Sequence, residues 1–224
     1  ALLIYQAIFH LGARVLLFDV KGERGDWPEK LPGLKGHVSL IRMGGDAKYR
    51  GMFDPFHVFE KDKAPLYAKD FLVQLLQIER THDWHLTIQQ AIHEVAEQKD
   101  PSMGKVLMRI RELDERLYNS LALYQRFPFS QLVFGDKKPE NSIRLDKPLN
   151  IIQIDELSLP PRNKNPRHYN EKEILSVALM LPLTGFAHQV VKQDRNFNVI
   201  WWEEAWGPMA SDQGREAIDQ GIRM

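Results

Sequence analysis

FNVIWWEEAW, residues 197–206, decides the fold. Its consecutive strand-favouring residues Val199, Ile200, Trp201 and Trp202 read as a strand buried on both faces, the kind that fills the middle of a parallel sheet. The run delivers two adjacent carboxylates, Glu203 and Glu204, to its C-terminal tip. Open α/β sheets bind ligands in the crevice beyond such tips, so the pair marks a candidate site.

Working outward, the pattern recurs. RVLLFDV (14–20) is another apolar strand, with Asp19 near its end, and it follows a helical stripe of Leu2, Leu3, Ile4, Ala7, Ile8 and Leu11 that Gly12 terminates. HVSLIRM (37–43) alternates as a further strand, and LNIIQIDEL (149–157) is a third buried run, ending in Asp155 and Glu156. Lys21–Gly36 reads as a loop, GMFDPF (51–56) as an extended crossing, and SLPPRNKNPRH (158–168) as a Pro-rich connector.

Pro65 opens a mostly helical region that runs to about Phe127, with amphipathic stripes such as Leu72, Leu75 and Leu76, then Ile88, Ile92 and Val95, then Leu107, Ile110 and Leu117. Asn170 and Glu173 form a capping pair for a helix to about Lys192, in which Pro182 predicts a kink or break. Ser211 or Asp212 caps a last helix. Alternating strands and helices, with buried strands that end in acids, specify an α/β fold with a mostly parallel sheet and an inserted all-helical subdomain. The expected divisions are 1–63 and 136–224 for the two parts of the core and 64–135 for the insert.

Composition bounds the function. Thirty basic residues balance thirty acidic ones, so net charge announces neither a nucleic-acid nor a membrane binder. With no cysteine, disulfides, thiolate catalysis and cysteine-ligated zinc are excluded. No apolar stretch reaches the length of a membrane span, and no secretory leader is evident. His82, His85 and His93, near Glu94 and Glu97, match no zinc-helix spacing and read as wet-face residues. Both ends read as interrupted helices, so the chain reads as a fragment of a longer protein.

Adjacent acids at a strand tip point to opposite faces and take separate tasks: one holds a magnesium ion, the other polarises an attacking water beside a terminal phosphate. The plainer alternative is a polar strand end facing solvent. Asp19 and Asp155 also end apolar strands and are expected at the same edge, where Lys21, Arg24, Arg215 and Arg223 are candidate neutralisers.

VIWWEEAWGPM with GREAIDQGIRM resembles the Walker B region of the conjugative-transfer ATPases of type IV secretion systems, relatives of the FtsK and HerA motors. RVLLFDVKGERGDW resembles their strand after the phosphate-loop helix, and GMFDPFHVF, the helical insert and IIQIDELSLPP fall in the expected order. The resemblance implies a RecA-like P-loop NTPase core that binds ATP and Mg2+. It gives Glu203 the metal, Glu204 the water, Asp19 and Lys21 the cofactor, and Arg223 a neighbouring subunit's nucleotide. Glu203 stands where the family usually has Asp. The family's Gly-rich phosphate loop would lie just before this chain's first helix, so the fragment alone is not expected to hydrolyse ATP. The resemblance further implies a hexameric homo-oligomer, cytoplasmic and peripheral to the membrane, with membrane-embedded secretion components as partners, DNA a further candidate, and no membrane span of its own. The alternatives are a DNA-pumping coupling protein and a non-catalytic assembly scaffold.

Overall fold

A computed structural model of the chain describes residues 2–45, 47–79, 81–136, 143, 145–193, 197–204, 215 and 219. Helix α1 (Leu2–Phe9) leads through a turn, with Gly12 at φ 63°, into strand β1 (Arg14–Phe18). A short helix α2 (Trp27–Lys30) and a 3-10 turn (Pro32–Leu34) precede β2 (Val38–Met43). Helices α3 (Pro55–Val58), α4 (Ala64–Leu76), α5 (Trp84–Ala96), α6 (Met103–Leu113) and α7 (Glu115–Ala122) follow, then β3 (Leu149–Ile154), α8 (Glu171–Gln193) and β4 (Asn198–Trp202). The expected last helix lies outside the described residues, apart from Arg215 and Asp219, which are helical. Its caps Ser211 and Asp212, together with Trp206 and Arg223, also lie outside them.

The four strands form one all-parallel sheet in the order β2-β3-β1-β4. Successive side chains alternate between its faces. Leu16, Phe18, Ile152 and Ile154 face a large core shared with α4 to α8, whereas Val15, Leu17, Leu149 and Ile151 meet Ile4 and Ile8 of α1. Phe18 pairs with Trp202 in register, and their rings stack at 4.1 Å. That contact packs β4 onto β1 just below the acids; among the described residues β4 is an edge strand and half-buried, not the fully buried middle strand its apolar run predicts, because only β1 pairs with it. Contrary to the sequence reading that no apolar stretch is long enough, helix α8 has the length and apolarity of a membrane span, but most of it is buried within the fold, where it packs on α3 and α4.

Several local expectations change. GMFDPF is not wholly extended: Pro55–Val58 is the helix α3, because Asp54 Oδ1 accepts from Phe56 N at 2.9 Å and Pro55 suits a first helical turn. Lys21–Gly36 is a loop that carries α2 and the 3-10 turn. Helix α8 runs through Pro182 without a break, since packing on its flanks holds it and Thr184 Oγ1 donates to Met180 O at 2.7 Å beside the gap. Its start is the expected capping pair, with Glu173 N on Asn170 Oδ1 at 2.9 Å and Asn170 N on Glu173 Oε2 at 2.8 Å.

Asp54 is fully buried and couples the start of α3 to the start of α6, because its Oδ2 accepts from Met103 N at 2.6 Å. Burial pushes its carboxyl well above the usual range, against the pull of the two backbone donors. Asp54→Asn keeps one acceptor but sets an amide NH2 against a buried N–H. The expected cost is about 1–3 kcal/mol of stability, read as a lower denaturation midpoint with an unchanged slope. An unchanged midpoint removes Asp54 from this coupling role.

Candidate functional site

The register builds the site. Arg42 on β2 pairs with Gln153 on β3, and the ladder β3-β1-β4, carried one residue past Ile152, Phe18 and Trp202, brings Gln153, Asp19 and Glu203 level. By alternation this polar row crowns the apolar row Leu40, Ile151, Leu17 and Trp201 below it on the same face. Arg42 Nε donates to Gln153 Oε1 at 3.3 Å, and Gln153 Nε2 donates to Asp19 Oδ2 at 2.5 Å.

Asp19 is only 1% exposed, and the loop after β1 closes over it. Gly22, at φ 73°, takes the left-handed turn that folds the loop back. Glu23 N then donates to Asp19 Oδ1 at 3.1 Å and Arg24 N to Oδ2 at 2.7 Å. Burial acts to raise the Asp19 pKa, but Gln153, Arg24 N–H, Glu203 and Glu23 N–H outweigh it and hold the carboxyl below its ordinary value.

The two tip acids are tied to the same loop. Lys21 Nζ lies 2.5 Å from Glu204 Oε1, and Arg24 Nη2 lies 2.5 Å from Glu203 Oε1. The Glu204 carboxylate raises the Lys21 ammonium above its usual pKa. Glu203, 12% exposed, has no aligned hydrogen bond to either oxygen, so its contact with Arg24 is ionic and off-line. Burial raises the Glu203 pKa, as does the Asp19 carboxylate beside it, and Arg24 only partly offsets them. At the strand mouth Lys21, Glu23, Glu203 and Glu204 line a cavity of about 750 Å³ together with Leu157 to Arg162.

Asp19, Lys21, Glu203 and Glu204 are thus brought together, with Arg24 as a further neutraliser. Asp155 does not join them: it is exposed, beyond the mouth on the β2 side, and its N–H donates to Met43 O at 2.6 Å. Arg215 is exposed and does not line the cavity. Gln153 and Arg42 are site residues that sequence reading missed. Their signal is a single polar residue breaking each of two apolar runs, IIQI and LIRM. His82 and His85 make local turn contacts, to Trp84 N at 3.2 Å and Glu79 O at 2.9 Å.

A family model described as an AAA-like domain matches residues 1–224. The chain belongs to the AAA-like domain family. The fold is similar to that of VirB4 of Thermoanaerobacter pseudethanolicus, at a TM-score of 0.62 and 18% identity over 97% of this chain and 82% of that one. No curated protein matches the chain. The α/β architecture with a parallel sheet, expected of a P-loop NTPase, is therefore the one observed.

In this AAA-like domain Glu203, buried and held by Arg24 only in an off-line ionic contact, offers carboxylate oxygens that fit a hard cation. Among the described residues no three acid or histidine ligands gather. A carboxyl whose pKa is raised on folding binds its proton more tightly in the folded state, so its contribution to stability is lost as pH rises through the folded pKa. Glu203→Gln is therefore expected to unfold at a higher midpoint than the wild type near neutral pH, the two converging in acid. A variant less stable at neutral pH contradicts this assignment of cost.

Proposed function

We propose that this AAA-like domain is the ATP-hydrolysing motor of a conjugative type IV secretion ATPase, of the kind VirB4 represents. The observation that carries the reading is the pair of carboxylates at the tip of β4, set in a cavity at the mouth of a parallel sheet and each held by a cation of the loop after β1. The resemblance of VIWWEEAW to a Walker B strand, the family match and the shared fold support it.

In this mechanism the triphosphate of ATP occupies the mouth. Glu203 supplies the oxygens that would hold magnesium, with the buried Asp19 carboxylate behind it as a second negative charge, and when bound the ion neutralises charge on the phosphates. Glu204 orients the attacking water and accepts its proton as the bond to the terminal phosphorus forms and the bond from that phosphorus to the bridging oxygen breaks, releasing ADP and inorganic phosphate. Lys21 pairs with Glu204 and Arg24 with Glu203, which spares these carboxylates an unpaired charge, and the two cations would turn towards the phosphates as nucleotide enters. The wider reading rests on the resemblance: a cytoplasmic hexamer, peripheral to the membrane, engaging secretion components, with Arg223 reaching a neighbouring subunit's nucleotide.

Glu204→Gln in the full-length protein keeps the size and removes the base. Turnover is expected to fall by about a hundredfold or more, with ATP affinity retained. Unchanged turnover removes Glu204 from the catalytic role.

A further inference from the structure

The connector after β3 is a built wall of the cavity. Glu156 turns it sharply, in the left-handed region at φ 65°, and accepts from Lys172 Nζ at 3.2 Å. Ser158 N donates to Ser176 Oγ at 3.0 Å, and that hydroxyl donates to Lys172 O at 2.7 Å. Past the wall, Lys164 Nζ donates to both oxygens of Glu173 at 2.8 and 2.7 Å. Every anchor lies in the first two turns of α8, so Leu157–Arg162 is pinned at both ends to one helix whose body is core. Between the anchors Pro160, which is buried, and Pro161 each fix a backbone φ.

This wall brings Arg162 to the cavity. The other cations of the mouth are committed, Lys21 to Glu204 and Arg24 to Glu203. Among the described residues no carboxylate or hydrogen-bond acceptor engages Arg162. A guanidinium that is exposed, uncommitted and held by an anchored loop over a cavity large enough for a nucleotide is suited to bidentate phosphate contact.

We propose that Arg162 binds the terminal phosphates of the nucleoside triphosphate, as a wall residue contributed by the β3–α8 connector. This assignment rests on the proposed function, since it names a contact within that same cavity.

The test uses the full-length protein with magnesium and compares the binding of ATP and AMP to the wild type, Arg162→Ala, Arg162→Lys and the control Arg167→Ala. Arg167 is exposed in the same connector but does not line the cavity. Arg162→Ala is expected to weaken ATP about tenfold and leave AMP within about twofold, because AMP lacks the phosphates concerned. Arg162→Lys restores part of the loss, since it keeps the charge without the fork, and Arg167→Ala changes neither affinity. Wild-type ATP binding with no loss in Arg162→Ala overturns the Arg162 assignment and leaves the proposed function standing. Equal loss of ATP and AMP also overturns it, as the mark of a structural defect. A wild type that binds no ATP overturns both.

Discussion

The site depends on one buried carboxylate. Asp19 sits at the end of β1, a strand with hydrogen-bonded neighbours on both sides, and it is almost wholly removed from water. A charge in that position survives only if donors surround it. Gln153 supplies one from β3, and the backbone of Glu23 and Arg24 supplies two more. To make the backbone contacts the loop must fold back at Gly22, and this fold places Lys21 and Arg24 over the acids of β4.

The consequence is a mouth whose charges are balanced in pairs. Lys21 holds Glu204 and Arg24 holds Glu203, while Asp19 keeps its negative charge beneath them. Such an arrangement is strained by its own chemistry: Glu203 is buried beside a second carboxylate, and its pKa is raised accordingly. Stability alone would favour a neutral side chain there. Retaining the acid is intelligible if a cation or a phosphate-bound metal exchanges for Arg24 during function.

Much of this was legible in the sequence, for physical reasons. Strands β1 and β3 announce themselves because strands buried on both faces must be almost continuously apolar, and the half-buried β2 by its alternation. The capping pair of α8 was readable because Asn170 and Glu173 act locally. Register was not legible, since it emerges only when strands distant in sequence align. It explains why Asp155, although it ends an apolar run, falls outside the site: the ladder brings Gln153 level with Asp19, so Asp155 lies two residues farther out. It also explains why Gln153 went unnoticed, as one polar residue in IIQI means little until Asp19 is found beside it. GMFDPF misled because the cap that makes α3 also serves Met103, 49 residues away.

The central claim is that the mouth of the sheet, with Glu203 and Glu204 at its floor, is where a nucleoside triphosphate is held. It is tested most directly by a structure of the full-length protein with magnesium and a non-hydrolysable ATP analogue. The account predicts the triphosphate in the cavity, the metal against Glu203, and the Lys21–Glu204 and Arg24–Glu203 pairs opened. A triphosphate bound elsewhere, with both pairs intact, contradicts it.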